Sequence, residues 1–113
     1  MRPNKVFSLL GLSTRAGRCV SGEFMTEKSV KDGSARLVIV GTDASANTKK
    51  NFRDMCSFYK VPYFEYGTKE ELGHAMGKEM RASLAVIDDG FAGTPKKHLE
   101  TAVNETEGTE CQK

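Results

Sequence analysis

Leu37-Val38-Ile39-Val40 sets four apolar side chains in a row, three of them β-branched, with no polar residue between them. Successive side chains of a strand point to opposite faces, so this run is apolar above and below and needs cover on both sides. Such a strand belongs inside a layered domain, and the segments around it carry helical spacing. Val6, Leu9, Leu10 and Ser13 recur on one helix face, and Gly17 stands where that helix should stop. A short extended piece, Cys19-Val20-Ser21, leads to a second helix expected over 22–32 and closed by Gly33. The apolar strand itself is expected over 36–41. The polar stretch 42–47 offers several N-caps for a third helix, on which Phe52, Met55, Cys56 and Tyr59 form an apolar stripe. Lys49, Lys50 and Arg53 lie off that stripe.

Pro62 precedes a strand expected over 63–66, and Thr68 with Glu71 forms a capping-box pattern that opens a fourth helix. Gly73 and Gly77 are expected to let that helix pack closely on the sheet. The last strand is expected over 83–87, and a final helix over 96–103 uses Leu99 and Val103 as its apolar contacts. This alternation of helices and buried strands predicts an α/β fold. Its form is a three-layer α/β/α sandwich around a small mixed four-stranded sheet. The domain is expected to span 1–103, with a polar, acidic and disordered tail over 104–113.

Several function classes fall away on composition. The chain has 113 residues with 38% apolar and 28% charged, enough to bury one core and too apolar for a disordered chain. Its longest apolar run is far short of a membrane span, and the first residues lack a signal-peptide pattern. Cys19, Cys56 and Cys111 are odd in number and widely spaced, which supports neither a disulfide framework nor zinc. The cytoplasm is the expected compartment, with no membrane partner. Net charge is only +2, yet residues 1–81 hold 14 Lys and Arg against 9 Asp and Glu, and residues 82–113 hold 3 against 6. A basic body beside an acidic end is compatible with a polyanion partner, because the local field matters more than the total.

Catalysis finds no support. The chain has no nucleophile elbow, no P-loop, no dinucleotide glycine fingerprint and no paired-histidine zinc motif. His74 and His98 read as surface histidines, Asp88-Asp89 as a solvated loop, and Cys56 as core. No catalytic residue, metal ligand or cofactor is expected. The basic feature is different: Arg15, Arg18 and Lys28 flank a helix start opened by Ser21, Gly22 and Glu23. Unpaired backbone N–H groups and the helix dipole there favour an anion, and the three cations are expected to converge on it. If Thr26, Ser29, Val30 and Gly33 face the sheet, Phe24 points about 160° away and is free to stack on an unpaired base. The competing reading turns Met25 and Ser29 inward and folds Phe24 over the helix start. Further on, Asp43 and Asn47 mark the turn after the buried strand, and Lys78, Met80, Arg81 and Ala82 form the loop before the last strand.

Several motifs together resemble one family. They are Gly22-Glu23, Lys28, Asp32-Gly33, Leu37-Val38-Ile39-Val40 with Asp43, Val61-Pro62-Tyr63, Glu71-Leu72-Gly73, Gly77 and Ala85-Val86-Ile87. In this order, over residues 4–92, they are similar to the ribosomal protein L7Ae family, which binds kink-turn RNA. Ser21-Gly22-Glu23, the run from Asp43 to Lys50 and Asp88-Asp89-Gly90-Phe91 look like its bacterial YlxQ-type branch. The resemblance implies an α/β/α sandwich without catalysis and an RNA site built from three places: residues 22–28, Asp43 with its neighbours, and residues 78–82. Typical kink-turn binders place an Asn-Glu pair where this chain has Phe24 and Met25, and neither side chain makes those hydrogen bonds. Base-edge readout is thereby lost, while phosphate contacts through Lys28 and the arginines remain.

The expected partner is therefore structured RNA, bent or looped and of ribosomal type, with no DNA. The alternative is a protein-interaction module on the same fold, binding a protein through Phe24 and Met25. An enzyme acting on a phosphorylated small molecule ranks last.

Overall fold

The structure, a computed structural model, describes residues 5–93 together with residues 97 and 99. The elements run α1 (Lys5–Arg15), β1 (Cys19–Ser21), α2 (Glu23–Lys31), β2 (Leu37–Val40), α3 (Ala46–Tyr59), β3 (Tyr63–Glu65), α4 (Lys69–Ala75) and β4 (Ser83–Val86). The strands form one four-stranded sheet in the order β1-β4-β2-β3. β1 and β2 each pair antiparallel with β4, and β2 pairs parallel with β3. The expected mixed sheet is present.

Side-chain alternation sorts the core into two layers. Leu37 and Ile39 of β2 join Leu84 and Val86 of β4 beneath Val6 and Leu10 of α1 and Leu72 of α4. Val38, Val40 and Ala85 point the other way, against Val30 of α2 and Phe52 and Cys56 of α3. All four β2 residues are buried, as an apolar run with helices on both sides requires.

Local chemistry fixes the element ends. Ser45 Oγ accepts the Thr48 N–H and caps α3. Thr68 and Glu71 complete a reciprocal capping box at α4. Gly17 and Gly33 follow α1 and α2 at positive φ, the backbone that lets the following amides turn back on the last carbonyls.

Gly73 and Gly77 serve other purposes than sheet packing. Gly77 lies beyond α4 at φ +73°, where its N–H donates to His74 O and the Lys78 N–H to Gly73 O, so it stops the helix. A Cβ on Gly73 would overlap the Glu79 carbonyl, so this glycine admits the loop that follows the helix. Leu99 is buried and packs under the α1 and α4 layer. Val103, His98, Cys111 and the tail over 104–113 lie outside the described residues.

Candidate nucleic-acid interface

One end of the sheet gathers three chain segments separated by long stretches of sequence. β1 ends at Ser21, and the Gly22 N–H donates to Ser83 O at the start of β4. β2 ends beside them, where the Gly41 N–H donates to Ala82 O. Arg81 links the edges: its Nε donates to Ser21 Oγ at 3.1 Å and its Nη1 to Met80 O at 2.9 Å. Two of its five N–H bonds are thus used to hold the guanidinium, and three remain.

Gly22 makes this helix start possible. Its φ of 91° and ψ of 153° suit glycine, and α2 begins with no side-chain cap on its first amides. Glu23 lies in that first turn, where the helix dipole favours its carboxylate. Thr26, Ser29 and Val30 are buried against the sheet, whereas Phe24 is 76% and Met25 42% exposed. The outward reading of Phe24 holds, and the reading that turned Met25 inward does not. Met80, in the facing loop, is 57% exposed.

The second segment meets the others through Asp43. Its Oδ1 accepts the Lys69 N–H at 2.8 Å, and Lys69 O accepts the Arg81 N–H at 3.1 Å. Lys69 therefore stands where the Asp43 turn, α4 and the 78–82 loop join. Sequence reasoning passed over it, because the Asp43 contact spans 26 residues and leaves no local pattern. Asn47 is exposed in the first turn of α3. Lys49 and Lys50 pair with acids, Glu65 at 4.0 Å and Asp54 at 2.8 Å, the second pair on the exposed surface. Among the described residues, Lys28, Lys69, Lys78 and Arg81 make no ion pair.

The expected convergence of Arg15, Arg18 and Lys28 on the helix start does not occur. Arg15 ends α1, and Arg18 O accepts the Ile87 N–H at the far end of β4. The three residues of β1 separate Arg18 from Gly22, four steps or about 13 Å along the strand. α2 then folds back over the sheet, which carries Lys28 about 9 Å from Gly22 along the helix axis. There it lines a small cleft with Val20, Asp32 and Ile87. The geometric reason is the strand itself: β1 runs from the arginines toward Gly22, and α2 returns.

Other reactive groups are occupied structurally. Burial pushes the Cys56 thiol up to about 12 and raises that of Cys19, so neither favours a thiolate. Asp88 Oδ2 accepts the Phe91 N–H and caps a helical turn over 89–93, while Asp89 pairs with Arg36 at 3.2 Å. Asp89 keeps 85% of its side chain in solvent, as expected for a solvated position, while Asp88 is the half-buried cap. Among the described residues, no three His, Cys, Asp or Glu side chains come together as a metal site. No described helix is long and apolar enough to cross a membrane.

An α/β/α sandwich presenting an open helix start between two loops defines a class of protein, and comparison with known proteins agrees. The chain belongs to the Ribosomal protein L7Ae/L30e/S12e/Gadd45 family, whose profile matches residues 4–94. It is 46% identical over 86 residues to the RNA-binding protein YlxQ of Bacillus subtilis (strain 168), covering 76% of this chain and 86% of that protein. The RNA-binding protein YlxQ of Enterococcus faecium is 38% identical over 96 residues, covering 85% and 92%. Among solved structures, a protein of unknown function from Bacillus halodurans superposes with a TM-score of 0.84 at 37% identity, covering 87% of this chain and 99% of that one. The Giardia lamblia 15.5kD RNA binding protein shares the fold, with a TM-score of 0.76 at 19% identity over 89% and 92% of the two chains.

Proposed function

We propose that this chain is a non-catalytic, cytoplasmic RNA-binding protein of ribosomal type that grips bent or looped RNA at the Gly22 end of its sheet. The observation that carries the reading is the junction of Ser21, Arg81 and Ala82 with the Gly22 helix start and the Asp43 turn. Lys69, Lys78 and Arg81 lie on phosphates there, as cations without an ion-pair partner among the described residues are suited to do, and Lys28, like the arginines, is reached only by a longer RNA. Phe24 and Met80 pack on splayed bases, since aromatic and apolar faces accept any unstacked base. With Phe24 and Met25 in place of a polar pair, recognition leans on shape and stacking and loses kink-turn selectivity. Arg15 and Arg18 contribute only to an RNA long enough to run back along α2.

Exposure of Phe24 also favours a second reading, in which a protein docks on Phe24 and Met25. Cross-linking in cells followed by sequencing of the attached RNA separates the two. Recovery of looped or bent RNA supports the first reading. Partners that survive complete RNA digestion, with no enriched RNA, support the second and contradict the first.

A further inference from the structure

β1 is an edge strand, paired with β4 on one side only. Arg18 O accepts the Ile87 N–H and the Gly22 N–H donates to Ser83 O, so Arg18, Val20 and Gly22 turn their backbone groups to β4. By the same alternation the N–H and C=O of Cys19 and Ser21 point outward, and no described residue partners them. The opposite edge is guarded: β3 follows Pro62 and ends on Glu65, which pairs with Lys49. β1 contains neither a proline nor a charge. Outward backbone groups on such an unguarded edge are a template for one more strand.

The chain around that edge is complementary to itself. Antiparallel pairing about a two-fold axis at Val20 sets Cys19 against the partner's Ser21, and each such pair can exchange both N–H···O bonds. The same register sets Arg18 beside the partner's Gly22 and the partner's Glu23. Arg18 and Glu23 are exposed and make no ion pair among the described residues, so the pairing joins opposite charges at both of its ends. At the axis Val20 meets the partner's Val20, with Met25, 42% exposed, lining the same small cleft. The helices leave room for this. α2 packs on both β1 and β4, and over their seam it lies about 5 Å from the axis. The two copies of α2 then stand about 10 Å apart, an ordinary helix-packing distance.

We infer that two copies of this chain pair through the outer edges of β1, antiparallel about a two-fold axis at Val20, and join their four-stranded sheets into one. Arg18 of each copy pairs with the partner's Glu23. The pairing goes beyond the RNA reading and does not rest on it.

The test is sedimentation velocity on the full chain, nuclease-treated and kept reduced, across a concentration series. A monomer–dimer equilibrium should appear. Arg18→Glu and Glu23→Arg should each weaken the dimer about tenfold, since each replaces two ion pairs by two repulsions. The double variant Arg18→Glu/Glu23→Arg restores both pairs and should return to within about threefold of the wild type. Circular dichroism checks that each variant is folded. Hydrogen exchange on the unaltered chain locates the seam: the Cys19 and Ser21 amides should exchange more slowly as concentration rises. A monomer at every concentration up to about 1 mM overturns the inference. So does a dimer that ignores the charge reversals, one that the double variant fails to restore, or one that leaves the Cys19 and Ser21 amides unprotected.

Discussion

Gly73 shows how a single missing side chain shapes the surface. The Glu79 carbonyl occupies the space of a Cβ there, so Gly73→Ala must push either α4 or the loop aside. Overpacking of backbone against backbone has no flexible side chain to absorb it. Gly73→Ala is expected to destabilise the protein by about 2 kcal/mol or more and to lower Tm by about 10 °C. Thermal unfolding followed by circular dichroism checks this, and an unchanged Tm would show that the loop yields freely. The same change moves Met80 and Arg81, so a variant that stays folded should bind RNA more weakly. Phe24 makes the complementary point. Its exposure follows from the helix period, which buries Thr26 and Val30 and turns Phe24 out.

Helices and strands were legible in this sequence wherever a local signal sets them. Ser45, Thr68 with Glu71, Gly17 and Gly33 mark helix ends that the structure keeps within a residue or two. Leu37 to Val40 is the buried strand its composition demanded. What stayed hidden depends on pairing between distant segments. Nothing local says that β1 lies against β4, and that pairing decides which end of α2 meets the arginines. The Asp43–Lys69 contact was invisible for the same reason. Gly77 and Gly73 were misread because spacing within a helix cannot reveal that the chain turns back just after it. One element end breaks the glycine rule: α3 closes on Lys60 at φ 62°, the one non-glycine residue with positive φ among the described residues. A left-handed conformation costs a residue with a Cβ about 1 kcal/mol, so Lys60→Gly is expected to stabilise the fold by somewhat less than that. The urea midpoint should rise with its slope unchanged, and a fall would mean that the lysine side chain contributes more than the backbone strain.

For the molecule as a whole, the proposed function follows from an asymmetry between the two ends of one small sheet. The Gly22 end brings together an uncapped helix start, the Asp43 turn, Lys69 and Arg81. The other end carries Arg18, beside Ile87. A modest total charge does not weaken a grip built from cations on one surface, because counterion release depends on the contacts made. The decisive measurement is the affinity of an RNA stem-loop recovered by cross-linking, followed by fluorescence anisotropy across a salt series for the wild type, Arg81→Ala and Arg18→Ala. Log affinity should fall linearly with log salt in the wild type. Arg81→Ala should bind more weakly, with its slope shallower by about one, while Arg18→Ala should track the wild type on a short stem-loop. A folded Arg81→Ala variant that matches the wild type in affinity and slope, or a larger loss in Arg18→Ala, would contradict the assignment of the grip to the Gly22 end.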